Sequence, residues 1–310
     1  MDHFQVQQTS TRTPRNYTVV GAIPFILVHL AVLGAFWSGV TTAAVVCAVV
    51  LYFVRMFAVT AGYHRYFSHR TFKTNRVFQF VLAFLAQSSA QKGVLWWAAH
   101  HRKHHRLSDR PGDVHSPVTD GFWYSHVGWL FNKTGDTDYA AVPDFARYPE
   151  LRFLNKYHLL PPIVLGFVVW LTLGWSGLFI GFFASTVALW HGTFTINSLS
   201  HVFGKRRFAT RDDSRNNWLL AFVTMGEGWH NNHHRYAVSA RQGFYWYEYD
   251  FTYYILKVLS WLGIVSDLRP VPQKILEEGR ASDRARRQGA PAPGPDAQVA
   301  GGTLVPSPAE

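Results

Sequence analysis

Two long stretches of the chain contain no Asp, Glu, Lys or Arg: Tyr17 to Val54 and Tyr157 to Gly204. Each runs to about 40–50 residues, twice the roughly 20 that one membrane-crossing helix requires. A soluble helix would alternate apolar and charged faces, and these stretches do not. Glycines break them near Ser38-Gly39 and between Gly174 and Gly177, so each reads as a helical hairpin. The pattern predicts four spans, at about 18–38, 41–64, 158–174 and 178–203. Neither hairpin turn carries Lys or Arg, whereas the open ends hold Arg12, Arg15, Arg55 and Lys205-Arg206-Arg207. By the positive-inside rule both termini and the central loop face the cytoplasm. Arg55 is expected to snorkel at the boundary.

Between the hairpins, Val77 to Gln91 is apolar but too short to cross, which suits an interfacial or re-entrant helix. Trp96, Trp97, Trp123, Trp129 and Tyr124 suit the headgroup zone, and the aromatic run Phe244 to Tyr254 suggests a further interfacial segment. Residues 1–16 lack the features of a signal peptide and read as a flexible cytoplasmic leader. Residues 17–278 form one integral-membrane domain. From Gly279 to 310 the composition of Ala, Gly, Pro, Arg and Asp without periodicity predicts a disordered tail.

Histidine supplies the candidate chemistry. His101-Arg102-Lys103-His104-His105 and His230-Asn231-Asn232-His233-His234 share one spacing. On a helix it gathers three imidazoles at i, i+3 and i+4 within about one turn. His64 and His69 stand five residues apart, a rotation of about 140° on a regular helix, so they converge only if the helix ends or bulges between them. Eight histidines in three boxes exceed the needs of one metal and point to two. Two hairpins opening on one side bring His201 to the same face, with Asn197 one turn before it. His29 and His191 fall inside spans. An intramembrane ionisable group is a functional candidate, the alternative being a neutral imidazole bonded to a neighbouring helix.

Composition narrows the partners. The 310 residues are 48% hydrophobic and 16% aromatic, with a formal charge of +11, which suits anionic lipid or an acidic partner. The one cysteine, Cys47, lies in an apolar run, excluding disulfides and thiolate clusters. No zinc-finger, helix-turn-helix or RNP pattern supports nucleic-acid binding. No dinucleotide, haem or iron–sulfur motif is visible, so reducing equivalents must come from a separate protein.

The boxes His64-Arg65-Tyr66-Phe67-Ser68-His69, His101 to His105, Asn197-Ser198-Leu199-Ser200-His201 and Gly226-Glu227-Gly228-Trp229 followed by His230 to His234 resemble those of the membrane fatty-acyl desaturases. The likeness is greatest to the stearoyl-CoA (Δ9) group and covers roughly residues 20 to 265. It implies an all-α membrane protein of four transmembrane helices beneath a cytoplasmic helical cap. The cap would hold two non-haem Fe ions and use O2 and two electrons to place a cis double bond, at Δ9, in a saturated acyl chain. Carried over by position, the ligands are His64, His69, His101, His104, His105, His201, His230, His233 and His234, with Asn197 acting through water. Asp109, Asp113 and Glu227 are candidates for orienting the free ring nitrogens, Asp109 and Asp113 equally for capping loops. His100, off the box face, reads as structural. By analogy Ala48 and Tyr52, one turn apart, set acyl length, the alternative being ordinary helix packing. The implied partners are acyl-CoA, acyl-ACP or a lipid-linked acyl chain, and a ferredoxin or cytochrome b5-type donor with its reductase. The family's Arg-Asp pair before the second box is here Ala99-His100, which argues against recognition of a CoA headgroup. The competing readings are a histidine-box hydroxylase or ketolase and a non-catalytic metal carrier.

Overall fold

The computed structural model describes residues 17–132 and 135–291; the expected leader, 1–16, lies outside them. The chain is mostly helical, with one two-stranded antiparallel ribbon pairing Lys73 with Ser266 and Thr74 with Val265. Two helices are long and apolar enough to cross a membrane, Thr42–Ser68 (27 residues) and Leu160–Val202 (43 residues). The second is broken at Gly174, whose φ of 62° and ψ of −157° are not helical. There the chain reverses, so that Phe182 returns against Gly166. A shorter apolar helix, Ala22–Ser38, precedes the first and stops at Gly39, where φ is +73°. Glycine meets both left-handed turns without a Cβ penalty.

The two turns sit together. Trp37 and Trp175 meet edge to face at 5.7 Å, and the Thr41 N–H reaches the Ser176 hydroxyl at 3.3 Å. Both helical pairs therefore open at the opposite end, where the histidine boxes lie. Large apolar side chains along these helices stay exposed, among them Leu27, Phe36, Val46, Val50, Phe167 and Leu171. The buried core lies nearer the histidines and includes Met56, Phe67, Leu82, Leu95, Leu154, Leu189 and Leu256.

Several expectations need adjustment. Arg55 does not snorkel: it is 1% exposed and donates to the Ser185 hydroxyl (2.5 Å), the Thr186 hydroxyl (2.7 Å) and the carbonyl oxygens of Leu51 and Ser88. Oxygen acceptors inside the bundle take the place of water. The disordered tail does not begin at Gly279, because Gln273–Arg287 is one helix. Its residues 275, 279, 282 and 286 fall on one face at helical spacing. Ile275 packs with Phe208 and Tyr245, Ser282 donates to the Arg207 carbonyl and Arg286 to the Arg206 carbonyl. A mainly polar interface left no apolar stripe to read. Residues from 292 lie outside those described. The short apolar stretch after the first hairpin is the helix Arg76–Gln87, and the aromatic run is a loop leading into the helix Phe251–Trp261.

Candidate metal centre

The convergence of His64 and His69 has a local cause. Ala58–Ser68 is π-helical and wholly buried, and the His69 N–H donates to the His64 carbonyl at 3.2 Å, five residues back. The wider turn stacks i over i+5, and the two rings stand 4.9 Å apart.

The second box lies on the helix Val94–Leu107 and the third on the short helix His230–Arg235. Six residues make a weak helix alone, and Asn231 and Asn232 secure this one. Asn231 Oδ1 accepts from the Arg207 and Phe208 N–H groups, each at 2.8 Å. The Asn232 amide donates to the Gln242 carbonyl and to Glu248.

Nine histidines form two groups whose ligand atoms lie within 4.8 Å of one another. One group is His64, His69, His101, His105 and His233; the other is His104, His201, His230 and His234. Helix geometry explains the division. From residue i, position i+4 is turned about +40° and i+3 about −60°, so a box lying between two centres serves both. The second box gives its i, i+4 pair to the first group and its i+3 ring to the second. The third box does the reverse.

Carboxylates on the far side fix the rings. Glu227 accepts from His64 Nδ1 (2.5 Å), Asp113 from His104 (2.8 Å), Asp109 from His201 (2.7 Å) and Asp212 from His234 (2.6 Å). A carboxylate only accepts, so Nδ1 carries the proton and Nε2 is left with its lone pair facing inward. Within the first group His233 Nε2 is 3.0 Å from both His64 Nε2 and His105 Nε2, and one proton there can satisfy at most one of them. His234 Nε2 is buried with no partner among the described residues. Burial, reinforced by neighbouring imidazoles, pushes His69, His101, His105, His230 and His233 well below the ordinary imidazole range. Neutral rings with converging lone pairs are the form a cation requires. Burial alone would raise Asp212 and Glu227, but the imidazoles beside them and their hydrogen bonds hold both below the usual carboxylate range. An all-imidazole set suits iron, zinc, copper or nickel, and five nitrogens exceed the four of a structural zinc site.

Asp109 and Asp113 also shape their loop. Asp113 accepts the Asp109 N–H at 2.9 Å, and Asp109 accepts from Ser116 and from the Asp213 N–H. Glu227 is gripped by the buried Arg65, which also pairs with Asp250. A Cβ on Gly226, where φ is +124°, would meet the Asp250 carboxylate and the Arg65 guanidinium. Asn197 ends its helix, and the break at Ser198 interrupts the expected i, i+4 face with His201. Its backbone carbonyl accepts from Ser125, while its side-chain amide bonds no described residue. His100 stacks on Trp96 at 3.6 Å, away from both groups. His29 and His191 bond each other at 3.1 Å, and His191 bonds His126 at 3.1 Å, tying separate helices. Tyr52 reaches across to the Val223 carbonyl at 2.9 Å and stands where a Cβ on Gly192 would intrude; Ala48 is half-buried one turn earlier.

Sequence reasoning missed Asp212, Arg65, Asp250 and His115. The His115 ring lies 4.4 Å from that of His104, its Nδ1 buried and without a partner among the described residues. Only the fold joins Asp212, Asp250 and His115 to the histidines, and Arg65, which follows His64 in the chain, meets Glu227 and Asp250 only through the fold.

Comparison with known proteins agrees with this geometry. Residues 40–260 match the family model described as fatty acid desaturase. The chain is 36% identical over 272 residues to an sn-1 stearoyl-lipid 9-desaturase of Anabaena variabilis, covering 86% of this chain and 98% of that protein. It is 36% identical over 220 residues to an sn-2 palmitoyl-lipid 9-desaturase of a Nostoc species, covering 69% and 77%. It is 34% identical over 245 residues to an acyl-CoA 5-desaturase of Anemone leveillei, covering 78% and 73%.

Proposed function

The chain belongs to the fatty acid desaturase family, and from that premise we propose that its two histidine groups hold a pair of non-haem irons serving Δ9 desaturation of a lipid-linked acyl chain. It is a fatty acyl desaturase, an oxidoreductase. The observation that carries the reading of its centre is the division of nine histidines into groups of five and four. His64, His69, His101, His105 and His233 would hold one iron and His104, His201, His230 and His234 the other, with Asn197 near the second. When bound, the irons would activate O2 with two supplied electrons and two protons, removing two hydrogens from adjacent methylenes to leave one double bond and two waters. An unactivated methylene has no acidic proton or leaving group, so the side chains alone offer no acid–base route to that bond.

The protein's own groups orient and shelter. Glu227, Asp113, Asp109 and Asp212 hold the Nδ1–H of four ligand rings, fixing where each Nε2 points. Burial favours the uncharged form of His69, His101, His105, His230 and His233. Tyr52 closes the space between the Thr42–Phe57 and Ser185–Asn197 helices and, with Ala48, limits how far the acyl chain extends.

The two apolar hairpins would form four spans, with the turns at Gly39 and Gly174 on one side of the bilayer and the histidines on the other. Exposed apolar flanks at Leu27, Val50 and Phe167 support contact with lipid. By the positive-inside rule, Arg12, Arg15 and Lys205-Arg206-Arg207 favour a cytoplasmic histidine side and cytoplasmic termini. The absence of an Arg-Asp pair at Ala99-His100, and two relatives named for lipid-linked substrates, favour a lipid carrier over CoA. The electrons would come from a ferredoxin or cytochrome b5-type protein.

Expression in a host with a competent donor, followed by gas chromatography and mass spectrometry of its fatty acids, tests this. A new Δ9 monoene that disappears with His104→Ala is expected. A product gaining one oxygen, or unchanged fatty acids with iron-loaded protein present, would refute it.

A further inference from the structure

We propose that Lys103, Arg106, Arg110 and Arg211 form the docking surface for an acidic one-electron carrier protein, whose electrons pass inward through Asp212 and His234. This rests on the reading of the chain as an O2-dependent desaturase. Each double bond then requires two reduced carriers to lose one electron each, while O2 takes those two electrons and two from the acyl chain.

The four cations are exposed, and among the described residues none has a side-chain partner. They come from three segments that also supply the centre. Lys103 and Arg106 bracket His104 and His105 on the Val94–Leu107 helix. Arg110 follows Asp109, which holds His201, and Arg211 precedes Asp212, which holds His234. The Asp213 N–H donates to Asp109 at 2.8 Å, which brings the Arg211 loop against the Arg110 loop.

Nearby carboxylates do not cancel this charge. Asp109, Asp113 and Asp212 point inward onto imidazoles, and Asp213 is paired with Arg206. The surface is therefore a cluster of free cations suited to steer an acidic partner. It also offers a short way in. From Arg211 the path is one peptide unit to Asp212 and one 2.6 Å hydrogen bond to the His234 ring. The ligand rings are buried or partly buried, and Asp212, itself buried, links His234 to the exposed Arg211.

The test uses iron-loaded enzyme in nanodiscs with plant-type [2Fe–2S] ferredoxin as the probe. Lys103→Glu/Arg106→Glu and Arg211→Glu are compared with Lys274→Glu/Arg284→Glu, which reverses exposed cations on the C-terminal helix. Ferredoxin binding is measured at low salt on loaded and iron-free protein, alongside the donor KM and its ionic-strength dependence. The first two variants should bind about tenfold more weakly, raise donor KM by a similar factor and flatten the salt dependence. Iron content and acyl-substrate KM should stay unchanged, as should every value for the C-terminal pair. Unchanged ferredoxin binding in the docking variants, or an equal loss in the C-terminal pair, would overturn the proposal. Binding changes as expected without any unsaturated product would support the surface while refuting the desaturation reading.

Discussion

Asp212→Asn isolates what a carboxylate behind a ligand ring contributes. Asp212 Oδ2 accepts from His234 Nδ1 at 2.6 Å, and its Oδ1 accepts the Ser214 N–H at 3.1 Å. Asparagine is isosteric but has one acceptor oxygen, so one of those N–H groups must face an NH2. The charge-assisted bond, roughly twice as strong as a neutral one, is lost in either orientation. Loss of such an outer partner typically weakens metal affinity by about 10–100-fold, equivalent to about 1.4–2.8 kcal/mol. His234 belongs only to the four-histidine group, so the loss should be confined to that group. Chelator competition followed by iron quantification reads this directly. The variant should release one iron at a 10–100-fold lower chelator concentration and keep the other with wild-type resistance. Wild-type retention of both irons, or equal weakening of both, would refute the idea that the two groups are separate centres with separate supports.

Tyr52→Ala should extend the product range toward longer acyl chains, seen by gas chromatography; an unchanged chain-length profile would reduce Tyr52 to a packing residue. Gly279→Val sets a side chain against the Tyr245 hydroxyl and Phe208 and should cost about 1–3 kcal/mol of stability, read as a lower Tm; an unchanged Tm would mean the C-terminal helix is not docked. Burial depresses the pKa of His69, His101, His105, His230 and His233, so below about pH 6.5 the unfolded chain binds protons that the folded iron-free chain does not. The stability these rings contribute is present above that pH and lost as pH falls below it. The Tm of iron-free protein should therefore drop between pH 8 and pH 5.5, and a constant or rising Tm would contradict it.

The parts of the fold written in local pattern were legible. Long uncharged runs broken at Gly39 and Gly174 gave the hairpins, because a left-handed turn needs glycine. The recurrence of one histidine spacing pointed to the two histidine groups, and the five-residue step from His64 to His69 demanded the bulge that the π-helix supplies. Polar contacts between distant segments were not legible. Arg55 looked like a boundary residue because nothing in its neighbourhood announces Ser185 and Thr186. The Gln273–Arg287 helix looked disordered because ion pairs and backbone acceptors hold it. Asp212 belongs to His234 only through the fold. The allocation of rings between the groups needed the two boxes set facing each other; neither box alone tells which way its i+3 ring turns.

The central claim is that nine imidazoles make two centres, one of five rings and one of four. Iron counted per chain in purified, catalytically active enzyme tests it most directly. Two irons are expected, falling to one in the Asp212→Asn protein after mild chelation. A single iron in the fully active wild-type enzyme, or activity that persists with none, would contradict the account.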